Sequence, residues 1–281
     1  MVSTSRHITF LLCLLALGLV SCASHKDERA AQAFVDNASS LVQQQRYEAA
    51  LRQLDSVHAL YPKQVAQRRQ AKALHDSIVY LQSKQTLAYS DSLLQTLIPQ
   101  SDELLKAFRY EKADAYEDHG HYVYRSLQTG WNTNRCFLQA YVTDDRQTFV
   151  KSYYYGAKQA HQQAVRLEVP AKYGETIPRV ELSGENHAFE VEGWHEILTL
   201  TDDPALEILN FVSSHVTDKI KVSVIGDKPQ AVYFLSDSEK EALDKTYALG
   251  LLMRDINRLE QQIRLASKRI EHFETRRQTA D

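Results

Sequence analysis

The stretch Leu249–Phe273, with the sequence LGLLMRDINRLEQQIRLASKRIEHF, decides the fold because its apolar residues recur at alternating intervals of three and four. These apolar positions are Leu249, Leu252, Ile256, Leu259, Ile263, Ala266, Ile270 and Phe273. The spacing is that of a coiled-coil seam and predicts a helix that pairs with another helix. Two partners remain open. We favour the chain's own helical segment around residues 64–97, and the alternative is the same helix of a second copy in a homodimer.

The start of this helix is marked by Ser236 with Glu239 three residues later, which is the capping-box pattern. The helix is expected to end near Arg276. Before it, from His119 to Leu235, the sequence is typical of β-strands. Strands are predicted at 135–142, 147–155, 164–169, 180–182, 194–201, 219–225 and 230–235, with a short helix from Asp203 to about Ser214.

Residues 27–117 are predicted to be helical, because apolar residues recur at helical spacing among many Ala, Gln, Leu and Arg residues. Residues 31–64 resemble one tetratricopeptide repeat, and a generic helical hairpin is the alternative. The matching positions are Phe34, Ala38, Leu41, Tyr47, Ala50, Leu54 and Pro62. A longer helix follows over 64–97, with Leu74, Ile78 and Leu81 and then Leu87, Leu94 and Leu97 as its buried positions. Pro99 is expected to end it, and Ser101 to cap a further helix through Tyr116.

Together these elements predict an α+β fold in which a helical stalk carries an inserted antiparallel β-rich domain. The stalk combines the N-terminal helices with the coiled-coil-like C-terminal helix. The expected division is 1–21 as a signal peptide, 22–117 as anchor and helical region, 118–235 as β-rich domain, and 236–281 as the long helix packing on the helical region.

The N-terminus, MVSTSRHITFLLCLLALGLVSC, has a short basic head followed by an apolar run from Ile8 to Val20 that is too short to span a bilayer. Leu19-Val20-Ser21-Cys22 resembles the lipobox of bacterial lipoproteins. The resemblance implies cleavage before Cys22, diacylglycerol on its sulfur and an acyl chain, such as palmitate, on the new amine. Two or more acyl chains hold a protein firmly on a membrane.

Lys26, Asp27 and Glu28 resemble the tag that sends some Bacteroidetes lipoproteins to the cell surface. Acidic residues in the first turn of a helix are the alternative explanation. The chain as a whole is similar to a family of Bacteroidetes lipoproteins, which implies a compartment but no activity and no functional residues. We therefore expect an outer-membrane, lipid-anchored protein that is surface-exposed rather than periplasmic.

The composition limits the classes of partner and of chemistry. A net charge of −3 argues against nucleic-acid binding. Once Cys13 has left with the signal peptide and Cys22 carries lipid, Cys136 has no cysteine to pair with, and we interpret it as a core residue.

Candidate catalytic residues are few. His119 and His121, preceded by Glu117 and Asp118, are the best metal candidate, but no third ligand stands at a recognised spacing. His195 and Glu196 are expected to point to opposite faces of a strand. We therefore predict no metal, no cofactor and no enzyme activity.

Two further features concern binding and modification. Tyr153 and Tyr155 should share one strand face, where an exposed pair would bind glycans or a protein, and where Trp131 and Tyr141 could extend the surface. The alternative is that all three tyrosines of Tyr153–Tyr155 are structural. Asp55-Ser56, Asp76-Ser77 and Asp91-Ser92 resemble the O-glycosylation acceptor of Bacteroidetes secreted proteins.

The function expected from these observations is a non-enzymatic binding or scaffold role with a protein partner at a membrane. Glycan binding through Tyr153 and Tyr155 is one alternative. A hydrolase or metal-dependent enzyme near His119 and His121 is the other.

Overall fold

The computed structural model describes residues 25–112, 119–127, 130, 133–170, 178–226 and 229–279. The signal segment, Cys22, Glu117, Asp118 and Trp131 lie outside these residues. Within them the chain is an α+β protein with an N-terminal helical region, a middle region of two antiparallel sheets and a long C-terminal helix, as predicted. None of the helices in the described ranges is both long and apolar enough to span a bilayer.

The helices and strands follow in this order. The helices are α1 over residues 25–43, α2 Tyr47–Leu60, α3 Val65–Leu105, α4 Asp203–Ser214 and α5 Asp237–Gln278. The strands are β1 Phe108–Glu111, β2 His121–Tyr124, β3 Phe137–Thr143, β4 Thr148–Gly156, β5 Ala164–Glu168, β6 Arg179–Ser183, β7 Glu185–Glu190, β8 Trp194–Thr201, β9 Lys221–Ile225 and β10 Pro229–Phe234.

Two compact units divide the chain. The helical unit comprises the described residues up to Asp91 and those from Gln262 onward, and the mixed unit is Ser92–Gln261. The boundaries therefore fall inside α3 and α5, whereas the sequence placed them at 117/118 and 235/236. Each of these two helices continues through its boundary without interruption. No change in composition and no turn residues therefore mark either boundary in the sequence.

The helical unit packs small residues of α1 and α2 against α3. Its core contains Ala31, Val35, Ala38, Ala50, Leu54, Val57, Ala71 and Ile78. Small side chains let two helix backbones approach closely, so the helical hairpin expected for residues 31–64 is formed by α1 and α2. Leu81, expected in the buried stripe of α3, is instead 37% exposed.

Within the helical unit, the apolar seam of α5 packs against α3. Phe273 stacks on Tyr80 with ring centroids 4.6 Å apart, and the Ser90 hydroxyl donates to Gln262 Oε1 at 3.2 Å. Leu249, Ile256, Leu259 and Ala266 are buried as the heptad pattern requires, whereas Leu252, Ile263, Ile270 and Phe273 are half-buried. The capping box also forms, because the Glu239 N–H donates to Ser236 Oγ and the Ser236 N–H donates to Glu239 Oε2.

The mixed unit contains two antiparallel sheets. One has the strand order β1-β2-β3-β4-β8-β7 and the other the order β10-β9-β5-β6. Their shared core includes residues of α4 and the start of α5, among them Leu138, Leu198, Ile208, Val222 and Leu243. The segment between β4 and β5 crosses from the first sheet to the second, and this crossing positions the polar site described below.

The end of α3 differs from the prediction. The helix continues through Pro99 to Leu105, and the chain then forms β1 at Phe108–Glu111 instead of a helix through Tyr116. Pro99 lies on the exposed side of α3. Because proline has no N–H, it cannot donate the usual hydrogen bond to the preceding turn of the helix, yet the helix continues. Ser101 is not a helix cap: its hydroxyl donates to the Ile98 carbonyl at 2.9 Å.

Candidate functional site

His119 lies beside the tight turn that joins β3 to β4. Its Nδ1 is 2.9 Å from Asp144 Oδ1 and its Nε2 is 3.7 Å from Asp145 Oδ2. These three exposed side chains offer ligand atoms that all lie within 4.8 Å of one another, so they are close enough to reach one cation together. His121 instead lies 3.6 Å from Glu111, so the structure replaces the predicted histidine pair with one histidine and two aspartates.

The same aspartates already serve a structural purpose. Asp144 Oδ2 accepts hydrogen bonds from the Gly120 N–H at 3.1 Å and from the Tyr110 hydroxyl at 3.0 Å. Desolvation raises the pKa of Asp144, but the hydrogen bonds from His119, Gly120 and Tyr110 lower it below its usual 3.8. The cluster thus fastens the turn to β1 and to the segment before β2, and a cation would have to displace these bonds.

Tyr153 is buried in β4 and does not present its ring to solvent. It is 7% exposed, stacks on Phe137 with centroids 4.4 Å apart, and donates its hydroxyl to Gln139 Oε1 at 2.9 Å. Burial raises its pKa to about 12. Tyr155 is half-buried and donates its hydroxyl to the Glu192 carbonyl at 2.9 Å. A sugar ring therefore has no access to a pair of open aromatic faces here.

Glu196 of β8 is the most enclosed carboxylate among the described residues, with no exposed surface. It accepts the backbone N–H groups of Ala160 at 2.6 Å, His161 at 2.9 Å and Gln162 at 2.6 Å. Asn186 Nδ2 adds a fourth hydrogen bond at 2.8 Å. Successive N–H groups that converge on one point form a nest for an anion, and here the chain fills that nest with its own side chain.

The Glu196 site holds the segment that joins the two sheets. Gln162, 2% exposed, also donates its side-chain amide to Ser152 Oγ at 2.8 Å, which ties the segment to β4. His195, the neighbour of Glu196, packs on Tyr155 and Phe189 and has its Nε2 3.1 Å from the Val191 carbonyl. Glu196 and His195 therefore have separate structural surroundings and do not form an acid–base pair.

Cys136 precedes β3 and is half-buried. Its sulfur accepts the Tyr155 N–H at 3.5 Å, and burial raises the pKa of its thiol. A raised pKa reduces the thiolate fraction, so this cysteine has the character of a packing residue.

Two neighbouring grooves lie between α3 and α5 in the helical unit. One encloses about 300 Å³ and is lined by Lys72, His75, Asp76, Val79, Tyr80, Arg269, His272, Phe273 and Arg276. The other encloses about 360 Å³, shares Val79 and Arg269 with the first, and adds Leu265, which is 56% exposed. The first groove combines apolar and cationic side chains with Asp76, and the second also contains the polar residues Gln82, Ser83, Thr86 and Gln262. The heptad pattern gave no indication of the grooves because it describes only the buried side of α5.

A wider cleft of about 630 Å³ lies at the start of α5 in the mixed unit. It is lined by Arg109, Ser126, Leu127, Arg135, Phe234, Ser236, Ser238 and Glu239. Arg109 donates to the carbonyls of Arg125 and Leu127, and the first turn of α5 is capped by Ser236 and Glu239. Many of the polar groups that line this cleft are therefore already hydrogen-bonded within the chain.

The sequence motifs near the N-terminus lie on helices. Lys26, Asp27 and Glu28 are exposed in the first turn of α1. Of the three Asp-Ser motifs, Ser56 and Ser77 donate their hydroxyls to the carbonyls of Arg52 and Ala73, and Ser92 is exposed.

Comparisons with protein-family models, with curated proteins and with solved structures found no match.

Proposed function

We propose that the chain is a lipid-anchored cell-envelope protein with a non-enzymatic binding or scaffold role. The observation that carries this proposal is the lipobox-like sequence Leu19-Val20-Ser21-Cys22, which lies just before residue 25, where the described part of α1 starts. Three residues of extended chain reach about 10 Å. Lipid on Cys22 would therefore hold the start of α1 close to the membrane surface.

The side chains with catalytic potential support a non-enzymatic role because they are used in packing. Glu196 is bonded to backbone N–H groups, His119 to Asp144, and the thiol of Cys136 has a raised pKa. Tyr153, needed for the glycan alternative, is buried.

The binding role is assigned to the grooves between α3 and α5. Val79, Leu265 and Phe273 supply apolar contacts, and Lys72, Arg269 and Arg276 supply positive charge. Such a surface fits an amphipathic helix of a partner protein that carries acidic residues beside its apolar face.

Lipidation is tested by growing a bacterium that expresses the full chain on an alkyne-tagged fatty acid. The wild-type protein and Cys136→Ser should both carry the label, whereas Cys22→Ser should carry none. Label on Cys22→Ser, or an unlabelled wild-type protein, would overturn the anchor.

The binding role is tested by placing a photo-reactive residue at position 265 in the groove and, as a control, at exposed position 271 of the same helix. A single adduct from position 265 that does not form from position 271 is expected. Equal crosslinking from both positions would refute the assigned surface.

A further inference from the structure

The start of α1, the turn between α2 and α3, and the end of α5 all lie at one end of the helical unit. The α1 side chain Phe34 contacts Tyr61 after α2, with ring centroids 6.0 Å apart. Arg68 near the start of α3 donates to His58 near the end of α2 at 3.3 Å, so α2 and α3 are antiparallel.

The C-terminal helix reaches the same end. Arg276 of α5 lies 3.3 Å from Asp76 of α3, whereas Gln262 lies opposite Ser90. The two helices are therefore antiparallel, and α5 ends beside the first turns of α3.

This end of the helical unit concentrates positive charge, and we call it the basic end. Its cationic residues are Lys63, Arg68, Arg69, Lys72, Arg276 and Arg277. Asp76, which lies between Lys72 and Arg276, and Glu274, which accepts the Tyr80 hydroxyl, cancel two of these six positive charges. At the start of α1, Asp27 and Glu28 are matched by Lys26 and Arg29, so four positive charges remain in excess at this end. In a chain of net charge −3, this is a pronounced local excess of positive charge.

We propose that the basic end contacts the anionic phospholipid headgroups of the membrane that holds the anchor. The inference rests on the proposed lipid at Cys22, which would hold residue 25, on the N-terminal side of this end, within about 10 Å of the surface. Charges interact with a membrane over roughly one Debye length, about 8 Å at physiological salt. Lys63, Arg69 and Arg277 are exposed, so their side chains are available for headgroup phosphates.

The contact has a consequence for the anchored protein. A lipid anchor alone leaves the helical unit free to tilt, whereas several cations at one end hold that end against an anionic surface. Each Lys or Arg near such a surface strengthens binding by about fivefold. The proposal therefore predicts a preferred orientation, with the basic end toward the lipid.

The test uses the mature chain beginning at residue 22 with Cys22→Ser, which keeps every described element but carries no lipid. It is mixed with vesicles of phosphatidylcholine alone or of phosphatidylcholine with phosphatidylglycerol, and vesicle-bound protein is measured by flotation. We expect binding only to the anionic vesicles, with affinity that falls as salt is added. Arg69→Gln with Arg277→Gln should weaken binding by about 25-fold.

The matched control is Arg264→Gln with Lys268→Gln, which removes the same charge from exposed positions of α5. These residues lie about 15 Å further along the helix than Arg276 and Arg277, beyond the screening length. Equal loss for both pairs, or equal binding to both vesicle types, would overturn the proposal, and circular dichroism of each variant verifies folding. Because this chain carries no lipid, its result is independent of the fatty-acid label that tests the anchor.

Discussion

Phe273 of α5 stacks on Tyr80 of α3 with ring centroids 4.6 Å apart and ring planes 23° apart. The Tyr80 hydroxyl continues the contact by donating to Glu274 at 3.0 Å. The seam of α5 therefore has an intramolecular partner here, and the half-buried seam residues around it lie at the edge of this pairing.

Ala266→Asp should strongly destabilise the helical unit. Ala266 is 2% exposed between α5 and α3, so a carboxylate there would lose most of its hydration without gaining a partner. The expected loss is about 3 kcal/mol in the free energy of unfolding, measured by urea denaturation.

Leu265→Asp is the matched control, because the adjacent side chain is 56% exposed and its substitution should change stability by less than about 1 kcal/mol. Ile263→Asp should fall between the two, since Ile263 is only half-buried. Equal stabilities for the Ala266 and Leu265 variants would mean that α5 does not pack on α3 at this position.

Glu196→Gln should weaken the mixed unit although it preserves the size of the side chain. The amide keeps one acceptor oxygen, and its NH2 group replaces the other. The new donor therefore faces either the N–H groups of Ala160 and His161 or those of Gln162 and Asn186, and that pair loses its acceptor. A loss of about 3 kcal/mol is expected in urea denaturation.

Glu190→Gln, at an exposed position of β7, is the control and should change stability by less than about 0.5 kcal/mol. Hydrogen exchange of the 160–162 amides should also accelerate in the Glu196 variant alone. Unchanged exchange would show that the carboxylate does not hold this segment.

The sequence predicted those elements whose pattern is local and periodic. Strand β8 was placed at Trp194–Thr201 and helix α4 at Asp203–Ser214 with the observed ends. The capping box at Ser236 marked the start of α5 within one residue, because both partners of that motif lie in the same turn.

The elements that were missed depend on distant partners. Strand β1 has only four residues and is defined by its pairing with β2, and β7 is a largely exposed edge strand with few apolar side chains. A local indication of the β7–β8 hairpin did exist in Glu192-Gly193, where the positive φ of 130° at Gly193 suits glycine.

The backbone hydrogen-bond partners of Glu196 could not be predicted from the sequence, because they too are distant from it along the chain. Its three backbone donors lie more than thirty residues before it, in a connection with no regular structure. The available indication was a carboxylate in the strand Trp194–Thr201, where it is followed by the apolar residues Ile197 and Leu198 and must find partners if it is buried.

Cys136 should react slowly with iodoacetamide in the folded protein. Its thiol is half-buried and its pKa is raised, so the reactive thiolate is scarce at neutral pH. Mass spectrometry of the mature chain with Cys22→Ser, which has Cys136 as its one thiol, should show faster labelling in urea. Equal rates in both conditions would contradict the burial.

Tyr153 should make the folded protein lose stability at alkaline pH. Burial raises its pKa from 10.0 to about 12, so between these values the unfolded chain releases a proton that the folded chain retains. This contribution is fully present below pH 10 and is lost as the pH rises toward 12. A shift of two units corresponds to about 3 kcal/mol in the free energy of unfolding.

Tyr153→Phe should reduce the loss in the free energy of unfolding between pH 10 and about pH 12. At neutral pH it should cost about 1 kcal/mol, because Gln139, 4% exposed, loses the hydroxyl that donates to it. Tyr89→Phe is the control, since Tyr89 is 65% exposed and its replacement should leave the curve unchanged. The free energy of unfolding is measured by urea denaturation across this pH range. If it falls equally with pH in the wild type and in Tyr153→Phe, another residue causes the loss of stability at alkaline pH.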